Sequence, residues 1–140
     1  MARIIYAEDD EIPGNIVSDA LIDAGHAVGW VTDGHEALRA MLFRPPHLAI
    51  LDWDMPVMTG TMVLREMRTS PLLAGIPMMM LTAKGAQGDR DIAFYDGADD
   101  YLAKPFDPEE LVFRLQALLS GAKRRTVVGP ETLGSIRRSA

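Results

Sequence analysis

Five short apolar runs, none with a polar face, alternate along this chain with segments whose apolar residues recur at helical spacing. A half-exposed strand alternates apolar with polar residues, whereas a strand covered on both faces reads as a continuous apolar run. The alternation therefore specifies a parallel sheet with helices on both sides, an α/β fold. The expected strands are residues 4–7, 27–31, 47–51, 78–82 and 100–103.

Local signals place the helices between them. In the first, Ile12, Ile16, Ala20 and Ala24 recur four apart, with Val17 and Leu21 beside them and Gly25 as the stop. Asp33 reads as the N-cap of a second, which turns Ala37, Leu38, Met41 and Leu42 inward and ends before Pro45 and Pro46. A third follows the loop from Met55 to Gly60 and carries Val63, Leu64 and Met67. The fourth, residues 84–96, has the weakest signal because Gly85 and Gly88 lower its propensity. Leu111, Leu115, Leu118 and Leu119 give the last a clear apolar face.

With 140 residues, 48% of them apolar, the chain can bury one core of ordinary size. No apolar run approaches the roughly 18 residues that span a bilayer, and Met1-Ala2-Arg3 leads into a strand rather than a signal peptide. The absence of cysteine fits a reducing compartment. A cytoplasmic protein without a membrane partner is expected. The net charge of −6 conceals an uneven distribution. Residues 1–120 hold nine Lys/Arg against nineteen Asp/Glu, a balance of −10, whereas residues 121–140 hold five basic residues against Glu131, a balance of +4. Phosphate backbones require clustered Lys/Arg, so an acidic body argues against direct nucleic-acid binding. Residues 1–120 are expected to form the domain, and residues 121–140 a flexible basic tail or linker.

In sheets of this kind ligands bind beyond the carboxyl ends of the strands, where strand order reverses. Glu8, Asp9 and Asp10 follow the first strand, Asp52 and Asp54 the third, Thr82 ends the fourth and Lys104 follows the fifth. Carboxylates crowded together stay ionised only if a cation neutralises them. An oxygen-only ligand set, with no cysteine or histidine attached, favours Mg²⁺ over zinc. Carboxylate, divalent ion, hydroxyl and ammonium together describe a place for a phosphoryl group. Asp52 can itself be the nucleophile, giving an acyl phosphate. The Met78–Met80 run reads as gap-filling core, and the scattered His26, His35 and His47 as surface or structural residues.

The stretches IIYAEDDE, LAILDWDMPVMTG, IPMMMLTAKG and GADDYLAKPFDPEEL resemble the receiver domain of bacterial two-component response regulators, over residues 3 to about 120. The resemblance, OmpR/PhoB-like in its motifs, implies a doubly wound, flavodoxin-like (CheY-like) sheet of order 2-1-3-4-5 with five helices. It implies a phosphoacceptor switch rather than a turnover enzyme, taking a phosphoryl group from a histidine kinase or phosphotransfer protein onto Asp52. Asp9 resembles the direct Mg²⁺ ligand, Glu8 its companion acting through water, and Asp10 a peripheral neighbour. Asp52 would also bind the ion, and Asp54 would offer its backbone carbonyl. Thr82 resembles the switch hydroxyl, Tyr101 the aromatic that changes rotamer, and Lys104 the lysine paired with the phosphoryl group, with a cis bond to Pro105. Phosphorylation would alter the face around the fourth helix, fifth strand and fifth helix to control an output partner.

Pro13 and Gly14 depart from the pattern where the first helix begins, a region that in relatives helps receive the phosphotransfer domain. Trp53, bulky and next to the acceptor, is a second departure. Nothing of the length of a DNA-binding domain follows Ser120. Arg90, Asp99, Asp100 and Arg114 resemble charges that pair across an activated dimer, so a phosphorylation-favoured homodimer is expected beside the alternative of solvated surface charge. Two rival functions are a haloacid-dehalogenase-like phosphohydrolase, whose D-x-D motif fits Asp52-Trp53-Asp54, and a degenerate receiver acting only as a binding module. The first places D-x-D on its first strand, unlike this chain, and intact Glu8, Asp9, Asp52, Thr82 and Lys104 count against the second.

Overall fold

The structure, a computed structural model, describes residues 1–83 and 87–121. Residues 84–86, the expected start of the fourth helix, and residues 122–140 of the basic tail lie outside the described residues. The elements follow one another as β1 (Arg3–Ala7), α1 (Glu11–Asp23), β2 (Ala27–Val31), α2 (Gly34–Phe43), β3 (Leu48–Asp52), α3 (Gly60–Thr69), β4 (Met78–Thr82), α4 (Gln87–Tyr95), β5 (Asp100–Ala103) and α5 (Pro108–Leu119). The strands pair in parallel in the order β2-β1-β3-β4-β5, as expected. From β1 the chain moves outward to β2 and then returns past β1 to β3. Order therefore reverses between β1 and β3, and their carboxyl ends frame a crevice.

Side-chain alternation along each strand divides the core into two layers. Ile4 and Tyr6 of β1, Leu48 and Ile50 of β3, and Met79 and Leu81 of β4 pack with Val17 and Leu21 of α1 and Leu111, Leu115 and Leu118 of α5. Ala7, Ala49, Leu51, Met78 and Met80 face the other way, toward Met41 of α2, Val63, Leu64 and Met67 of α3, and Ala93 of α4. The methionine run is thus split between the two layers as buried packing. The edge strand β2 is only half covered, with Ala27 and Gly29 exposed.

Caps set the helix starts. Asp10, Asp33, Thr59 and Asp107 accept from the backbone N–H of Ile12, Glu36, Met62 and Glu109. Gly25 closes α1 with a φ of 94°, a left-handed conformation that glycine adopts without strain. The phase of α1 differs from the expected spacing. Ile12 is 74% exposed and Ile16 49%, while Gly14, Val17, Ser18 and Leu21 form the buried face. The reason is Trp30 of β2, whose indole lies against Gly14 so closely that a Cβ there would collide with it. A glycine carries no hydrophobic signal, so the spacing of isoleucines pointed to the wrong stripe.

Candidate functional site

β3 runs one residue further than its apolar core, so Asp52 is the last strand residue rather than the first of the loop. It pairs in register with Leu81 of β4 and is only 5% exposed. The following loop is held close: the Trp53 N–H donates to the Leu81 carbonyl at 3.0 Å, and the Gly60 N–H to the Trp53 carbonyl at 2.9 Å. Gly60, first residue of α3, sits against the Asp52 carbonyl oxygen, where a Cβ would clash. The glycine that ends the stretch LAILDWDMPVMTG is therefore a packing requirement.

Glu8 continues the alternation of Ile4 and Tyr6 at the end of β1 and is buried, whereas Asp9 is exposed. From beyond β5 the Lys104 ammonium donates to Glu8 Oε1 at 2.8 Å and to Asp52 Oδ2 at 3.4 Å. Carboxylate oxygens of Glu8, Asp9 and Asp52 all lie within 4.8 Å of one another. Burial first, then the charge of Glu8, pushes the Asp52 carboxyl up to about 7, against the pull of Lys104. Burial would lower Lys104, but its hydrogen bond to Glu8 and the charges of Asp52 and Glu8 raise it overall. One ammonium for three acids leaves negative charge in a desolvated crevice, and the donor set is all oxygen. Those residues fit a hard divalent cation such as Mg²⁺.

A second group belongs to the opposite layer. Thr82 shares the alternation of Met78 and Met80, is fully buried, and its carbonyl accepts from the Lys104 N–H at 2.7 Å. Tyr101 of β5 is buried against Phe94 of α4, ring centroids 6.4 Å apart, with the Arg90 guanidinium 5.8 Å from its centroid. Among the described residues its hydroxyl has no hydrogen-bond partner. The Lys104–Pro105 peptide is cis.

Residues 4–116 match the family model described as the response regulator receiver domain. The chain belongs to this family. The receiver is 41% identical over 116 residues to the response regulator PmrA of Pseudomonas aeruginosa, covering 83% of this chain and 52% of that protein. It is 35% identical over 138 residues to the phosphate regulon regulator PhoB of Rhizobium meliloti, covering 99% of this chain and 58% of that protein. It spans about half the length of these curated relatives. Among solved structures it is similar to the receiver domain of the sensor histidine kinase PA1611 of P. aeruginosa, with a TM-score of 0.79 and 32% identity over 85% of this chain and 98% of that one. That domain was determined with a magnesium ion coordinated in its active-site cleft. The chain is thus an OmpR/PhoB-like receiver, a phosphoacceptor signalling domain with the CheY-like fold, and the haloacid dehalogenase reading is set aside.

The receiver gathers Glu8, Asp9, Asp52 and Lys104 around one crevice and leaves Asp54 exposed beside it. It does not gather the four charges expected on a dimer face. Asp99 is buried, pairs with Arg68 at 3.1 Å and accepts from the Met78 N–H at 3.0 Å. Asp100 is buried and pairs with Arg114 at 3.2 Å, which also meets Glu110 at 2.9 Å. Arg90 is exposed.

Several residues of the receiver's working parts escaped the sequence reading. Arg68 of α3 donates to the carbonyls of Ala74, Ile76 and Gly97 as well as to Asp99, tying the segments that lead into β4 and β5. Tyr6 and Trp30 both reach Glu8, the phenol at its carboxylate and the indole N–H at its backbone carbonyl. Burial first, then the charges of Glu8 and Asp52, raise the Tyr6 phenol far above the ordinary tyrosine range. The one available signal was parity: Tyr6 lies two residues before Glu8, on the same side of β1. No helix among the described residues is long and apolar enough to cross a membrane.

Proposed function

We propose that this receiver takes a phosphoryl group from the phosphohistidine of a histidine kinase or phosphotransfer protein onto Asp52, in the cytoplasm. The carrying observation is the Lys104 ammonium shared by Glu8 and Asp52, with Asp9 completing an oxygen cluster at the reversal of strand order. An Asp52 carboxylate oxygen attacks phosphorus, the P–N bond breaks, and its electron pair leaves with the donor's imidazole. Mg²⁺, held by Asp9, Asp52, the Asp54 backbone carbonyl and Glu8 through water, would supply positive charge to the phosphoryl oxygens. Lys104 turns from Glu8 toward the phosphoryl group, and the Thr82 hydroxyl donates to one of its oxygens. The donor docks on a groove of about 270 Å³ lined by Pro13, Ile16, Val17, Phe106 and Pro108 beside Lys104.

The output is a change in the face formed by α4, β5 and α5. Supporting this, Tyr101 of β5 packs against Phe94 of α4, and Ile92, Tyr95 and Phe113 are exposed on the two helices. An output protein or a second copy of the chain binds there, the latter favoured by phosphorylation. The receiver unit runs over residues 1–120, with 121–140 as its linker.

Incubation with acetyl phosphate and Mg²⁺ should add one phosphoryl mass to the wild type, and Asp52→Asn should add none. No mass gain in the wild type would leave a binding module, and rapid turnover of phosphate esters would indicate a hydrolase.

A further inference from the structure

Glu8 is held from more directions than a residue acting through water requires. Its backbone is clamped to β2 on both sides: the Glu8 N–H donates to the Val31 carbonyl at 3.0 Å, and the Trp30 indole N–H donates to the Glu8 carbonyl at 2.9 Å. Its carboxylate receives the Asp10 N–H on Oε2 at 3.2 Å. Oε1 receives both the Lys104 ammonium at 2.8 Å and the Tyr6 hydroxyl at 3.4 Å. Tyr6 is fully buried, and among the described residues its hydroxyl has one other acceptor, the Pro13 carbonyl at 3.5 Å.

The arrangement has a built geometry. The Tyr6 and Trp30 rings stack at 25° with centroids 6.4 Å apart, and Trp30 reaches the Glu8 carbonyl only by lying where a side chain at position 14 would stand. Gly14 therefore belongs to the same unit. We infer that Tyr6 and Trp30 form a positioning pair that fixes Glu8 for the divalent cation and keeps Oε1 supplied with a donor when Lys104 leaves it. This rests on the phosphoacceptor reading above.

The two donors on Oε1 differ in what they do. Lys104 is 0.6 Å nearer Glu8 than Asp52 and must move toward the phosphoryl group to assist transfer. Without a second donor, that movement strips a buried carboxylate oxygen of its contact, a costly event in a desolvated site. Tyr6 provides a neutral donor from the rigid interior of β1. Groups that orient metal ligands in this way commonly change metal affinity by an order of magnitude or more when removed.

The test uses Tyr6→Phe, which keeps the ring, and Trp30→Phe, which keeps an aromatic over Gly14 while removing the indole N–H. Mg²⁺ affinity is measured in the unphosphorylated proteins by titration calorimetry, with thermal melts confirming the fold. Wild type should bind Mg²⁺, and each variant should bind about tenfold more weakly. At saturating Mg²⁺, Tyr6→Phe should also gain phosphoryl mass from acetyl phosphate more slowly. Mg²⁺ affinity equal to wild type in both folded variants would overturn the inference, because packing alone would move only the melting temperature. If the wild type itself fails to bind Mg²⁺, the phosphoacceptor reading falls first and the inference with it.

Discussion

Among single residues, the crevice stores unfavourable charge that a bound cation would relieve. Asp52 in the unfolded chain loses its proton near 3.8, whereas in the metal-free fold it keeps it up to about 7. Between those values the folded state holds more protons on this group, so its contribution to stability falls as pH rises from about 4 to about 7. Asp52→Asn should be more stable than wild type by about 1–2 kcal/mol at pH 8 without divalent ions, after allowance for solvent screening. Urea unfolding at pH 4 and pH 8 checks this: the gap should close at the lower pH, and Mg²⁺ should narrow it at the higher. Gly14 makes a second residue-scale case. Alanine there improves helix propensity by about 1 kcal/mol, yet its Cβ meets the Trp30 indole. Gly14→Ala should therefore destabilise by about 1–3 kcal/mol net. The penalty should shrink when Trp30 is also made Ala, as measured by a double-mutant cycle.

Between elements, side-chain contacts fasten the connections that lead into the strands. Arg68, in the last turn of α3, reaches the turn before β4 and the α4–β5 connection, and its partner Asp99 is 1% exposed. Removing one member of a buried pair strands the other charge. Arg68→Ala should cost about 3 kcal/mol in a chemical melt, more than Arg65→Ala, whose pair with Asp96 stands 60% exposed on the arginine side. Comparable losses in both variants would show that the arginine does not act as a fastener. The β3–α3 loop carries a different tension. Val57 has a φ of 71°, a left-handed conformation disfavoured for a β-branched residue, and its side chain is 74% exposed.

Across the whole molecule, two layers divide the labour. Alternation sets Glu8 and Asp52 with the α1 and α5 layer, and Thr82 and Tyr101 with the α2, α3 and α4 layer. In the proposed switch, phosphorylation on one side of the sheet would reach packing on the other through β3, β4 and β5, which bond in register. If a second copy binds the face of α4, β5 and α5, sedimentation should show a larger species with a phosphoryl analogue and Mg²⁺ than without. Tyr95→Asp and Phe113→Asp should each abolish it. Because Asp99, Asp100 and Arg114 already pair within the chain, ion pairs across such a dimer require those internal pairs to exchange.

The class of fold, the strand order through the resemblance, and the edge of the sheet where Asp9, Asp52 and Lys104 meet were all legible in the amino-acid sequence. Those follow from local facts: apolar runs without a polar face, capping residues, and polar side chains at strand ends. Which stripe of α1 is buried emerged from the packing, because several apolar positions compete and the winner depends on Trp30 meeting Gly14. The tertiary structure alone turned Asp99 and Asp100 from surface charges into buried partners of Arg68 and Arg114, since an ion pair 31 residues apart leaves no periodic trace. It also showed Glu8 sharing Lys104 with Asp52 and resting on Tyr6. That depends on two strand ends and a loop converging in space: the shared side of Tyr6 and Glu8 on β1 is legible in sequence, but the meeting of Glu8, Asp52 and Lys104 at these distances is not.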